Sequence, residues 1–335
     1  MTRAILAMLA AFGISAVLVP HTMRLAPLIG AVDVPRDGRR LHKRPLPRTG
    51  GIAIFLAFVI GTALVAPPRE ETVRLFLGAT LLLLLGIWDD VYRLSARVKL
   101  VVQMLAALIT LGGAGETPLL GYGGGAEVWR LALAVLWLLT LINAHNMIDG
   151  LDGLCAGVGA IEAVVLALLL TRQGSDDWAG VSLVLVGAAL GFWIYNRHPA
   201  RIFMGDAGSQ VVGMILGYLA LRLDGPRMGA LGALVPMLLF GLPLSDLVFA
   251  VLRRLLRGQS PFAADRGHWH HRLFDAGYSQ TWTCRVLLLV GTLLGASALG
   301  VSREAWYGYA VYALLWIVFL VSSIGMGLKM QVFEK

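Results

Sequence analysis

Apolar runs long enough to cross a bilayer recur along almost the whole chain, and they constrain its fold more than any other feature. A hydrocarbon core of about 30 Å takes roughly 20 helical residues. Eleven segments approach that length: 4–24, 50–66, 73–88, 99–113, 129–145, 154–171, 179–195, 209–223, 228–250, 285–301 and 305–327. Backbone polar groups in lipid must be satisfied within their own segment, so each run is expected to be a helix. The expectation is an all-α polytopic membrane protein with a single integral membrane domain over 1–335. Its largest polar loop is 251–284.

Composition closes off the alternatives. Hydrophobic residues make up 58% of the chain and charged residues 14%. So little polar surface cannot cover a soluble globule of this size, and so apolar a chain does not stay disordered. The net charge of +8 would suggest nucleic acid in a soluble protein. Here basic loops between spans account for it, and no basic-aromatic module is present. Cys155 and Cys284 are too few for a disulfide scaffold and have no metal-site spacing. The first span carries Arg3 before it and a dense basic loop after it, the reverse of a signal peptide's charge order, so it is read as a retained helix. With the N-terminus outside, loops 24–48, 89–99, 196–209, 251–285 and 328–335 face the cytoplasm and hold most of the Lys and Arg. That bias gives an N-outside, C-inside orientation. The Gly-rich segment 112–128 then lies outside and reads as a turn rather than a phosphate loop.

The same orientation gathers the polar chemistry on one face. Asp89 and Asp90 end the third span, Asn146, Asp149 and Asp152 follow the fifth, and Asp206 precedes the eighth. Carboxylates at a membrane edge usually mark function. Asn146, Asp149 and Asp152 are spaced i, i+3, i+6 and would share a face if helical. Adjacent Asp89 and Asp90 either hold Mg²⁺ or keep one raised-pKa base. Asp206 lies between two glycines in F-M-G-D-A-G-S (203–209), a setting suited to a hard cation that also touches phosphate. His268, His270 and His271 in H-W-H-H-R (268–272) have no cysteine partner and no zinc spacing. With Arg266 and Arg272 they suit phosphate oxygens instead. Loop 36–48 is basic and serves equally as a membrane anchor or as a grip on an anionic substrate. This mixture suits phosphoryl transfer, and its place against a membrane points to a lipid substrate. A cation- or proton-coupled transporter would need midplane sites and paired repeats, and neither is apparent.

Five ordered motifs carry a family resemblance: D-V-P…L-H-K-R-P-L-P-R-T-G-G (33–51), D-D-V-Y-R-L-S-A-R-V-K (89–99), N-A-H-N-M-I-D-G-L-D-G-L (143–154), F-M-G-D-A-G-S (203–209) and S-P-F-A-A-D-R-G-H-W-H-H-R-L (260–273). The chain resembles the polyprenyl-phosphate N-acetylhexosamine-1-phosphate transferases, and most of all the bacterial branch that uses UDP-GlcNAc and undecaprenyl phosphate. The resemblance implies an enzyme of the bacterial inner membrane that needs Mg²⁺, with Mn²⁺ as a substitute, and that starts a cell-surface polysaccharide. It implies undecaprenyl phosphate, a UDP-N-acetylhexosamine and membrane lipids as partners, and no nucleic acid. A homodimer fits it. UDP-GalNAc and UDP-MurNAc-pentapeptide remain alternative donors. The roles it implies are Asp206 as metal ligand, with Asp149 assisting, and Asp89 and Asp90 as the catalytic pair. Asp149 and Asp152 line the site with Asn146. Asn196 and Phe203 match positions near uridine. Lys43, Arg48 and Lys99 match positions near phosphates or the nucleotide, and His268, His270, His271 and Arg272 match the loop near sugar and pyrophosphate. Asp246 fits the pattern without an assigned role. Ala207 stands where the family usually has Thr, and His145 where Phe is common.

Overall fold

The computed structural model describes residues 1–35, 44–66, 69–112, 117–120, 127–228, 232–260, 267–302, 310 and 314. Among them are twelve α-helices and one small ribbon, in which β1 (Val32–Asp33) pairs antiparallel with β2 (Leu46–Pro47). Six helices are long and apolar enough to cross a membrane: α1 (Thr2–Ile29), α3 (Glu70–Tyr92), α5 (Glu127–Ile148), α6 (Leu154–Arg172), α7 (Asp176–Asn196) and α12 (Gln280–Val301). The shorter α2 (Gly50–Val65) is also apolar. Helices α4 (Ala96–Leu111), α8 (Gly205–Leu221) and α10 (Gly241–Leu256) complete the frame, with the short α9 (Val235–Leu239) and α11 (Trp269–Asp275).

The first ten expected spans each fall on helix, but the ninth is broken. Residues 228–250 contain 3-10 turns, then α9, then a break at Phe240 before α10. Pro243 supplies the reason. It has no N–H to donate to the Leu239 carbonyl four residues back, and its ring would clash with that carbonyl in a continuous helix. The eleventh span lies outside the described residues except for 310 and 314. Lys43, Arg266 and most of 112–128 also lie outside them.

Helix α8 is the hub. All of its residues but one are buried, and it packs on α2, α3, α5 and α6. The outer helices expose apolar side chains such as Leu77, Leu84, Leu105, Leu133 and Leu136. Such surface is a liability in water and is what lipid contact requires. The molecule is an all-α, multi-pass membrane protein. Its topology brings the C-terminal ends of α3 and α5 to the N-terminal end of α8, and the candidate site lies there.

Candidate active site

The approach of α3 to α8 is set by Gly86. A Cβ at this position would overlap the backbone of Ala207, so only glycine lets the two helices come this close. One turn further on, α3 presents two aspartates in different directions. Asp89 Oδ1 accepts from the Leu94 backbone N–H at 2.6 Å, and Oδ2 accepts from Lys99 Nζ at 2.8 Å. Lys99 also reaches Asp206 Oδ2 at 3.4 Å, so one ammonium serves two carboxylates. The Asp90 side chain is 1% exposed, and its Oδ1 accepts from Arg48 Nη1 at 3.1 Å. Its Oδ2 faces the Ala207 backbone N–H at 3.5 Å. Ala207 itself belongs to the buried hydrophobic cluster, so its methyl does not face the site and its contribution is this N–H. Gly205, at φ +73°, has room for no Cβ beside Arg48 and Asp90.

The loop before α8 is sewn to the start of α2. Phe203 donates to the Pro47 carbonyl, and Gly50 and Gly51 donate back to Phe203 and Met204. This fixes Asp206 relative to the basic segment that carries Arg44 and Arg48.

The third contribution comes from the α5–α6 turn. Helix α5 stops at Ile148, so the i, i+3, i+6 face is helical only through Asn146 and the approach to Asp149. All three polar residues nevertheless border one cavity. Asn146 Nδ2 donates to Ser209 Oγ at 3.0 Å. Asp149 is pushed up to about 7, first by burial and then by the nearby Asp206 charge. Asp152 Oδ2 holds the following loop, accepting from the Ala200 N–H at 3.1 Å and lying 2.8 Å from His198 Nδ1. Asn196 is buried behind the cavity. Its amide bridges the Gly153 N–H and the Ile202 carbonyl, which makes it a backbone staple in this structure.

The histidines divide by position. Asp246 on α10 holds His268 Nδ1 at 2.8 Å and accepts the Trp269 N–H at 2.9 Å. It therefore sets the entry of α11. His270 stacks on His268 with ring centroids 5.7 Å apart and packs against Gly150. Burial, joined by the charges of His271 and His268 and opposed by Asp246, lowers His270 to about 3, so it is neutral at physiological pH. His271 borders the cavity. Arg272 lies over the Trp269 ring at 5.9 Å.

The cavity measures about 740 Å³, within the range of about 300–1,000 Å³ usual for small-molecule sites. Asn146, Asp149, Asp152, Asp206, Arg48, Phe203 and His271 border it, as expected from the motifs. So do Arg44, Arg201, Asp33, His198 and Gln280, which sequence reasoning did not single out. The available signal was position: Asp33 and Arg44 lie within the first motif, 33–51, and His198 and Arg201 sit between Asn196 and the F-M-G-D motif. Among the described residues no three His, Cys, Asp or Glu side chains form a metal cage. Of the four aspartates that border the cavity, Asp149 and Asp206 are close enough for each charge to act on the other. Such a pair fits the way Mg²⁺ is held, by one or two side chains with phosphate oxygens and water completing its shell.

Helical bundle and cavity together are those of a membrane enzyme whose site gathers acids and cations, a chemistry suited to anionic ligands. The chain belongs to glycosyl transferase family 4, whose match covers residues 72–224. It is 33% identical to the probable undecaprenyl-phosphate N-acetylglucosaminyl 1-phosphate transferase of Bacillus subtilis, over 100% of this chain and 95% of that protein. It is 35% identical to the decaprenyl-phosphate N-acetylglucosaminephosphotransferase of Mycobacterium tuberculosis, over 89% of this chain and 83% of that one. Identity is 30% with the undecaprenyl-phosphate alpha-N-acetylglucosaminyl 1-phosphate transferase of Salmonella typhimurium, over 86% and 80%.

Proposed function

We propose that the protein transfers GlcNAc-1-phosphate from UDP-GlcNAc to undecaprenyl phosphate, as the first membrane step of a cell-surface polysaccharide. The observation that carries this reading is the cavity in which Asp149 and Asp206 face Arg44, Arg48 and Arg201. Such a set binds a pyrophosphate through cations while leaving carboxylates for a divalent ion. The names of the relatives supply undecaprenyl phosphate and the N-acetylglucosaminyl 1-phosphate group, and the family resemblance supplies UDP as its carrier. The proposal places the protein in the bacterial inner membrane with eleven spans, the N-terminus outside and the site on the cytoplasmic face.

In the proposed reaction an oxygen of the lipid phosphate attacks the β-phosphorus of UDP-GlcNAc. The bond from that phosphorus to the bridging oxygen breaks, and UMP leaves with the oxygen and its electron pair. A phosphate oxyanion is already a competent nucleophile and needs alignment and charge neutralisation above all. Asp89 and Asp90 are both engaged by cations and backbone N–H groups. In this reading they hold Lys99 and Arg48 in place beside the pyrophosphate, which favours direct attack over a phospho-aspartate. Asp206 and Asp149 would hold Mg²⁺, which when bound neutralises charge on the pyrophosphate. Phe203 borders the cavity and offers a face for the uracil ring.

The test is UMP release by purified protein in detergent, with Mg²⁺, undecaprenyl phosphate and a panel of UDP-sugars. UMP should appear only with lipid and metal, most rapidly from UDP-GlcNAc. Asp206→Asn should reduce kcat by about a thousandfold, the upper end of the loss for one electrostatic contact at a reacting centre. Release that persists in Asp206→Asn, or without lipid, would reject the assignment.

A further inference from the structure

The departure at His145 has a partner that the sequence did not suggest. His145 Nε2 lies 2.7 Å from Glu162 Oε2, with the two side chains 0% and 1% exposed. His145 Nδ1 lies 3.0 Å from the Leu141 carbonyl. Both ring nitrogens therefore face acceptors. Both bonds form in a pair that is neutral overall, as its burial demands, while Glu162 Oε1 has no hydrogen-bond partner among the described residues. The Phe240 ring closes over the imidazole edge-on at 6.1 Å. Cys155 Sγ adds a contact to the His145 carbonyl at 3.5 Å.

The pair joins α5 to α6 directly behind the turn that carries Asp149 and Asp152. The far half of that turn is held from the other side. Asn196 and Trp193 bind the Gly153 N–H and carbonyl, and His198 binds Asp152. On the near half, Asn146 reaches α8 through Ser209. The His145–Glu162 bond and the Cys155 contact tie this half to α6. His145 lies in the last turn of α5, three residues before its end at Ile148, and Asp149 is the first residue beyond that end, so the spacing of α5 and α6 bears on where its carboxylate sits.

We propose that His145 and Glu162 are a positioning pair that sets the α5–α6 spacing and thereby aims Asp149 into the cavity. The proposal rests on the transferase reading for its kinetic consequence but not for its geometry. A misplacement of about 1 Å at a reacting centre reduces rate by about a hundredfold. Phe203, Arg44 and Arg201 border the cavity from other elements, so donor binding should be spared.

The experiment compares Glu162→Leu, Glu162→Gln and the double variant His145→Phe/Glu162→Leu with the unmodified protein in detergent. Two readouts are followed: kcat and KM for UMP release, and the ¹³C-methyl resonance of Met147, which lies between Asn146 and Asp149. Glu162→Leu should lower kcat by about ten- to a hundredfold, with KM for UDP-GlcNAc changed by less than about threefold, and should shift the Met147 resonance. Glu162→Gln, which still offers an amide to Nε2, should restore most of both. The double variant, which replaces the pair with apolar packing, should recover more than Glu162→Leu and keeps the test alive if that single variant does not fold. Unchanged kcat in a Leu variant of lowered thermal midpoint would reduce the pair to a structural contact. An unmoved Met147 signal would overturn the proposal outright. If the unmodified protein releases no UMP, the transferase reading falls, while the Met147 comparison still decides the positioning claim.

Discussion

Two polar clusters share helices α4 and α8, one turn apart, and are built differently. Deeper in the bundle, Gln103 on α4 meets Gln210 on α8 at 3.0 Å and accepts from Asn143 on α5 at 3.0 Å. One turn nearer the cavity, Lys99 on α4 meets Asp206 on α8 and Asp89 on α3. Lys99 and Gln103 are four residues apart, as are Asp206 and Gln210, so each helix face carries a charge at the rim and an amide below it. A neutral amide network can satisfy itself where no water reaches, and its members need no counterion. The rim cluster cannot close in this way. Asp89, Asp90 and Asp206 share the ion pairs of Lys99 and Arg48, and Asp149 borders the same cavity. An excess of buried carboxylate beside a cavity is unfavourable unless a cation joins it. In the proposed function the amides serve the fold, and the charges serve a ligand.

The comparison can be broken first at its shared cation. Lys99→Met leaves Asp89 and Asp206 facing each other without their ammonium, and should lower kcat for UMP release by about a hundredfold. The variant's activity should not return when a second substitution merely fills volume. A Lys99→Met protein with near-normal turnover would show that the rim charges are packing devices like the amides beneath them.

A smaller effect is expected where an acid acts through another residue. Asp246 does not border the cavity, yet it orients His268 and the first N–H of α11. Asp246→Asn keeps the shape and weakens the charge-assisted bond to His268. Partners that orient an active-site residue in this way are typically worth about 10–100-fold. The loss should appear in kcat, with the protein still folded by thermal unfolding. A change in thermal midpoint alone would confine Asp246 to stability.

These residues also show what was legible beforehand. Apolar runs mark the helices, because in lipid each segment must satisfy its own backbone. Ordered motifs mark Asp206, Asn146, Asp149 and His271, because these side chains sit within a few residues of the turns that expose them. The break at Phe240 was hidden because apolarity continues through it, while the missing Pro243 N–H acts only on geometry. Partnerships were hidden too. Asp246 reaches His268 over 22 positions, Glu162 reaches His145 over 17, and the Asn196 amide closes on Gly153 over 43. Periodicity places a residue on a face and says nothing of which face lies opposite. Asn196 therefore reads as a ligand contact in the motif, and the structure shows it bound to backbone.

The smallest effect is expected one turn deeper, and its pattern differs in kind. Gln103→Leu strips partners from Asn143 and Gln210 and should lower stability by about 1–3 kcal/mol, the usual result of leaving buried polar groups unsatisfied. Turnover should stay within about twofold, because no charge at the cavity has moved. Removing the partner as well, in Gln103→Leu/Gln210→Leu, should recover part of that stability. Two apolar side chains can replace a hydrogen-bonded pair nearly without loss, and Asn143 keeps its bond to the Leu139 carbonyl. Denaturation in detergent would measure the recovery. At the rim no such cancellation is available: deleting Asp206 together with Lys99 removes the ligand's own site, and activity stays lost. Recovery below and none above is the result that separates a self-satisfied amide network from a charge cluster left open for a substrate.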